Sequence, residues 1–160
     1  MAIDMFLKID GIDGESTDVK HKNEIALLSY AWGEAQSAPA SGAGGGAGKI
    51  VMQDFYFSMF VSKASPKLFL ACAKGEHFKN AVLTVRHPGA SPTEFLKWRF
   101  TDVLISNYQT AGDVATGALP ADQASLKFSK IEVEYSPVKP DGTLGTPVKA
   151  GWDIKTNQPI

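Results

Sequence analysis

The amino-acid sequence predicts a mainly β fold, a two-sheet, β-barrel-like structure flanked by one α-helix. Three observations predict it. Runs of apolar–polar alternation recur along the 160 residues. β-Branched and aromatic residues fill those runs, and Gly, Pro and Asp separate them. One segment alone carries helical spacing between a start and a stop signal.

Taken in order, Met5–Ile9 is a short first strand, followed by the turn pairs Asp10-Gly11 and Asp13-Gly14. In LSYAWGEA, residues 28–35, Leu28, Tyr30 and Trp32 share one face and Ser29, Ala31, Gly33 and Ala35 the other. That second face is small and smooth, suited to lining a surface rather than packing a core. Next comes a glycine-rich loop at about 36–48, too long for an ordinary hairpin turn. QDFYFSMFV then places Phe55, Phe57, Met59 and Val61 on one strand face.

The helix is SPKLFLACAKGEHF, with Ser65 expected at the N-cap, Pro66 at the first helical position and Gly75 just past the end. Leu68, Phe69, Cys72 and Ala73 follow helical spacing, and Cys72 reads as a packed small hydrophobe. Strands follow at 81–87, 95–109 and 125–135. In the last of these, Leu126 and Phe128 have one parity and Ile131, Val133 and Tyr135 the other, so a bulge is expected around Ser129–Lys130. Val148–Ile154 completes a set of about seven strands, expected to form one domain over residues 1–160.

Composition narrows the function. Sixteen basic and seventeen acidic residues leave a formal net charge of −1, which gives no electrostatic footprint for nucleic acid or an anionic membrane. No apolar run reaches the ~20 residues that span a bilayer, so membrane insertion is not expected. Asp4 precedes any apolar stretch and no basic segment leads it, so no secretory signal is expected. One cysteine rules out an internal disulfide framework and points to synthesis in a reducing cytoplasm.

The glycine cluster ending in Gly48-Lys49 invites a nucleotide-binding reading, and the residues reject it. A phosphate loop needs glycine five positions before Gly48, where Ala43 stands, and Ser or Thr after Lys49, where Ile50 stands. A strand follows rather than a helix, so no helix N-terminus faces an anion. Gly42, Gly44 and Ala47 fit the loose dinucleotide spacing and fail for the same reason. His21, His77 and His87 lie in three separate segments without metal-binding motifs. Glu132 and Glu134 are expected on a solvated strand face beside basic neighbours. Trp32, Trp98 and Trp152 read as core or subunit-contact anchors. No catalytic, cofactor or metal constellation emerges, so an enzyme is not expected. A small β-barrel ligand-binding module remains the alternative, although no convergent polar set marks its pocket.

Several stretches together resemble one family: the opening MAIDMFLKIDGIDGES, His21-Lys22 and Ile25 before LSYAWG, the glycine-rich loop closing in Gly-Lys, SPKLFLACAKGEHF, EFLKWRFTDVLISNYQT, LKFSKIEVEYSP and PDGTLGTPVKAGWDI. In order and spacing they are similar to Hcp, the haemolysin-coregulated protein of bacterial type VI secretion systems. The resemblance runs from Met1 to about Ile154, and DVATGALP at 113–120 departs from it. It implies a barrel-like fold with one helix, assembled as a homohexamer whose rings stack into a tube inside a contractile sheath behind a spike. It also implies small effector proteins held in the ring lumen, and export from the cytoplasm without a signal peptide. By that resemblance Ser29 and Ala31 are expected to face the lumen, with Tyr30 and Trp32 packed into the subunit. Gly42, Gly44, Gly45, Gly46, Gly48 and Lys49 are expected to form a loop reaching toward a neighbouring subunit or ring. No fused effector domain is expected.

Overall fold

A strand turns alternate side chains to opposite faces, so each alternating run can bury one row and leave the other in water. The computed structural model describes residues 2–37 and 48–160. Its first strands are β1 (Asp4–Ile9), β2 (Ile25–Ala26), β3 (Ser29–Ala31), β4 (Glu34–Gln36), β5 (Ile50–Met52) and β6 (Phe55–Phe60). The helix α1 (Ala64–Lys74) follows. After it come β7 (His77–His87), β8 (Thr93–Ala111), β9 (Ala121–Lys127), β10 (Lys130–Tyr135), β11 (Val148–Asp153) and β12 (Gln158–Pro159). The expected fold class holds: mainly β, one helix and two sheets. All seven expected strands are present, the 28–35 and 125–135 runs are each split in two, and β2, β5 and β12 are additional.

Ten strands share one sheet. Its long path is β12-β11-β10-β8-β7-β1-β2, and β9 pairs with both β8 and β6 while β6 also pairs with β3. Residues 25–31 join the two walls. They pair with β1 at their start (Leu7↔Ile25) and with β6 at their end (Tyr30↔Phe57), which gives the sheet its barrel-like curl. The second sheet is the ribbon β4–β5.

The expected irregularity near Ser129–Lys130 is a break between β9 and β10 rather than a bulge within one strand. Opposite it, Asp102 in β8 takes a left-handed φ of 57°, a conformation Asp tolerates better than most residues. Residues directly opposite in an antiparallel pair share a face, so both strands must switch together. Phe100 pairs with Ile131 on one side of the break, and Ile105 with Leu126 on the other, and all four are buried. A register shift does occur nearby, in β8 between Ile105 and Asn107. His77 Nδ1, at 3.0 Å, and Lys155 Nζ, at 3.2 Å, hold the Asp102 carboxylate at this corner and keep it below its usual pKa, the His77 contact contributing most.

The enclosed face is aromatic and aliphatic. Phe55 stacks at a tilt on Phe100 with centroids 4.7 Å apart, amid Leu7, Ile9, Met59, Leu83 and Leu126. Each such side chain contributes about 1.5–3 kcal/mol on burial. Val61 departs from the expected row: β6 ends at Phe60, and Val61 is exposed.

Helix α1 starts one residue before the expected cap. Ser65 lies inside its first turn, where its Oγ accepts the Ser62 N–H at 3.0 Å, and Ser62 Oγ in turn accepts the Ala64 N–H at 3.1 Å. Together the two serines satisfy two backbone N–H groups at the helix start. Ser65 Oγ and the Tyr108 hydroxyl both donate to the fully buried Asp122, tying the helix start to β9 and β8. Burial, followed by the Asp122 carboxylate, pushes the Tyr108 hydroxyl pKa up. At the other end Gly75 takes φ 64°, its N–H reaching Cys72 O and the Glu76 N–H reaching Ala71 O, the two bonds of a left-handed helix stop. The buried stripe is Ala64, Leu68 and Ala71, with Cys72 packed against the core. Phe69 and Ala73, expected on that stripe, are exposed instead.

Candidate assembly surfaces

The outer face of the β3–β6–β9–β8 wall is the first surface of interest. Pairing sets Ser29 opposite Ser58 and Ala31 opposite Tyr56, so these four face the same way. With Asn107, Gln109 and Gln123 they border a shallow concavity of about 270 Å³. No charged side chain lines it. Ser29 and Ala31 are both exposed, and the Ser29 and Ser58 hydroxyls bond each other. Tyr30 turns the opposite way and stacks on Phe55 at 5.7 Å. Leu28, expected to share the inner face, is exposed, and Leu27 is buried in its place. The reason is a strand switch: the Leu27 N–H bonds Met5 O and the next N–H, of Leu28, bonds Ser58 O. Successive residues thus serve opposite walls.

The β4–β5 ribbon forms a second surface. After Ala31 the run leaves β6, and Trp32 and Gly33 bridge to the ribbon. Trp32 Nε1 donates to Gln53 O at 2.9 Å, and the Gln53 N–H donates to Gly33 O at 2.9 Å. The ribbon pairs Glu34 with Met52 and Gln36 with Ile50, and Ser37 Oγ donates to Lys49 O at 2.6 Å. Between ribbon and main sheet runs a groove of about 480 Å³. Trp32, Trp98 and Trp152 all line it, as do Met52 and Val133. Trp32 and Trp98 pack at a tilt, 5.5 Å apart. The indole N–H groups of Trp98 and Trp152 are buried without a hydrogen-bond partner among the described residues, an arrangement that native proteins seldom leave unfilled. Gly48 lines the groove, and Lys49 is exposed beside it. Gly42, Gly44, Gly45 and Gly46 lie outside the described residues.

Large apolar side chains are exposed elsewhere. Phe69 is 60% exposed, Leu70 51% and Leu119 69%. Several charged residues, by contrast, are paired. Glu134 on β10 receives Arg99 Nη1 at 3.1 Å and Lys149 Nζ at 3.5 Å, the basic neighbours expected for this strand face. The Arg99 hydrogen bond is the main cause holding its carboxyl below the usual pKa. Arg86 on β7 is buried and reaches Asp18 with two nitrogens and Asp4 with a third. Chiefly through the Arg86 hydrogen bond, the Asp18 carboxyl is lowered to about 2. These contacts pin the strandless stretch before β2 onto β1 and β7.

Among the described residues no group of three His, Cys, Asp or Glu side chains is placed to hold a metal ion, and no helix is long and apolar enough to cross a membrane. Sequence reasoning missed the groove, whose walls are up to 125 residues apart, since only the tertiary fold brings β4–β5 against β10–β11.

Known proteins match this chain over nearly its whole length. The sequence model of the family described as type VI secretion system effector, Hcp, matches residues 6–135. Protein hcp1 of Pseudomonas aeruginosa is 41% identical over 160 residues, covering 98% of each chain. The crystal structure of Hcp1 from Salmonella typhimurium is similar with a TM-score of 0.82 at 37% identity, covering 100% of both chains. A solved structure described as a type six secretion system protein reaches a TM-score of 0.93 at 30% identity, covering 99% of this chain and 100% of that one. Sequence and fold agree from β1 to the last strands, and the chain belongs to the Hcp family of type VI secretion tube proteins.

Proposed function

We propose that the whole chain, residues 1–160, acts as one tube domain that assembles into hexameric rings stacking into the inner tube of a type VI secretion system. Ser29 and Ala31 face the channel. The observation that carries this reading is the concavity on the outer wall of β3–β6–β9–β8, around Ser29, Ala31, Ser58 and Gln123, which no charged side chain lines. Such a lining holds no fixed charge that would trap a passing protein. Small effector proteins are its cargo, while the sheath and spike are the tube's other partners.

Cyclic rings need two different surfaces on each subunit, one offered and one received. The exposed Phe69, Leu70 and Leu119 and the tryptophan-lined groove supply apolar area of the kind buried at subunit contacts. The loop carrying Gly42, Gly44, Gly45, Gly46, Gly48 and Lys49 reaches the neighbouring subunit or ring, glycine letting backbone approach backbone closely. The role is structural rather than enzymatic and uses no cofactor. The protein is made in the cytoplasm and leaves through the type VI machine.

Size-exclusion chromatography with light scattering, followed by negative-stain imaging, tests the reading. Annular particles of six subunit masses are expected. A monodisperse monomer that binds a small ligand would overturn it in favour of a ligand-binding module. Deleting residues 42–46 is expected to leave single rings intact and to weaken stacking, and unchanged stacking would remove the loop from the account.

A further inference from the structure

The stretch 13–24 has no strand, yet it is ordered around one buried histidine. His21 is 6% exposed and stacks on Phe6 of β1, with centroids 4.5 Å apart and planes 5° apart. Its Nδ1 lies 2.7 Å from Glu24 Oε2 and its Nε2 lies 2.8 Å from Glu94 Oε1, on β8. A neutral imidazole donates from one nitrogen only, and the other presents a lone pair. Set against two carboxylates, that lone pair would face a carboxylate oxygen at hydrogen-bond distance and repel it. With both carboxylates ionised, only the doubly protonated ring satisfies both contacts.

Charged groups surround the ring on every packed element. Glu24 and Asp18 come from its own segment, and Asp18 Oδ1 also accepts the His21 backbone N–H at 3.1 Å. From β8 come Glu94 and Lys97, whose Nζ lies 3.1 Å from the second Glu94 oxygen. Arg86 of β7 sits 4.8 Å from the Phe6 centroid and pairs with Asp18 and with Asp4 of β1. Burial pushes the Glu94 carboxyl up, and the hydrogen bonds from His21 and Lys97 outweigh it, leaving that group below its usual value and ionised.

We propose that His21 is an imidazolium in the folded subunit at neutral pH, and that its proton latches residues 13–24 onto the start of β8, so that the segment loosens as pH rises. When the proton leaves, one of the two charged hydrogen bonds is lost and the Glu24 or Glu94 carboxylate faces a lone pair. The segment's own backbone bonds then open more often: Gly14 N–H to Asn23 O, Ser16 N–H to Glu24 O and Asn23 N–H to Ser16 O.

Nitrogen-15 NMR of the His21 ring in the wild-type protein, with amide exchange of Gly14, Ser16 and Asn23 read in parallel, tests this from about pH 6 to about pH 9. Both ring nitrogens are expected to carry protons at neutral pH. After correction for intrinsic pH dependence, protection of the three amides is expected to fall about tenfold as the ring loses its proton. In Glu94→Gln the ring is expected to be neutral at neutral pH and the pH dependence of protection to vanish. A bare ring nitrogen in the wild type at neutral pH, or protection that ignores the ring's titration, would overturn the proposal.

Discussion

The two faces of β6 share one backbone and carry opposite duties. Phe55, Phe57 and Met59 point inward and none is more than 2% exposed, whereas Tyr56 and Phe60 alternate with them and are 51% and 46% exposed. The inner row fills a core at close packing. The outer row leaves large rings in water, beside small polar groups such as Ser58. A lone subunit gains nothing from those rings. The difference teaches that the inner face specifies the fold while the outer face is free for the assembly proposed above.

The largest expected effect comes from the inner face. Phe55→Ala removes a ring in contact with Phe57, Phe100 and Tyr30 and is expected to cost about 3–5 kcal/mol. Chemical denaturation would show a lower midpoint with little change in slope. A loss below about 1 kcal/mol would break the comparison, because inner and outer positions would then count alike.

A position on neither face sharpens it. At Gly14 an added Cβ would sit 2.4 Å from Glu24 O and 2.7 Å from the Ile25 Cα, so backbone must move. Gly14→Ala is expected to cost about 1–3 kcal/mol by overpacking. Denaturation midpoints would read it, together with faster amide exchange at Ser16 and Asn23.

Acid probes the charged end of the same sheet. The Asp18 carboxyl is lowered in the fold to about 2 from an ordinary 3.8. A depressed carboxyl stabilises above its unfolded value and loses that stabilisation as pH falls through the folded one. Stability is therefore expected to decline as pH drops from about 4 to about 2, and Asp18→Asn should flatten this part of the curve. An unchanged acid limb in that variant would assign the loss to other groups.

The smallest effect belongs to the outer face. Ser29→Ala removes a hydroxyl bonded to Ser58 at an exposed position, and is expected to shift subunit stability by no more than about 0.5 kcal/mol. A larger loss in the isolated subunit would show that this row serves the fold after all.

Much of the inner face was legible in the sequence, because alternation is a local property. Phe55, Phe57 and Met59 fall inside as their spacing predicts, and Gly75 stops the helix where only a left-handed residue fits. The parity change between Phe128 and Ile131 correctly located a discontinuity, though its partner, Asp102 with its positive φ, gave no local signal. Spacing alone could not say which apolar residues would stay uncovered. Leu28 and Phe69 sit in plausible inward positions and lie exposed, since a strand switch buries Leu27 instead and the helix turns Ala64, Leu68 and Ala71 to the core. The His21 bridge was hidden for another reason: Glu94 is 73 residues away, and nothing near His21 announces it. Likewise Ser29 and Ala31 were picked by family resemblance, and their place on a small, smooth strand face followed from the pattern alone.

The central claim is that the outer wall of β3–β6–β9–β8, with its uncharged concavity, lines the channel of a six-subunit ring. Electron cryo-microscopy of the purified assembly at side-chain resolution tests it most directly. The account predicts a closed six-membered ring with Ser29, Ala31 and Gln123 of every subunit facing the central channel. A ring that turns this wall outward, or buries it between subunits, would contradict it.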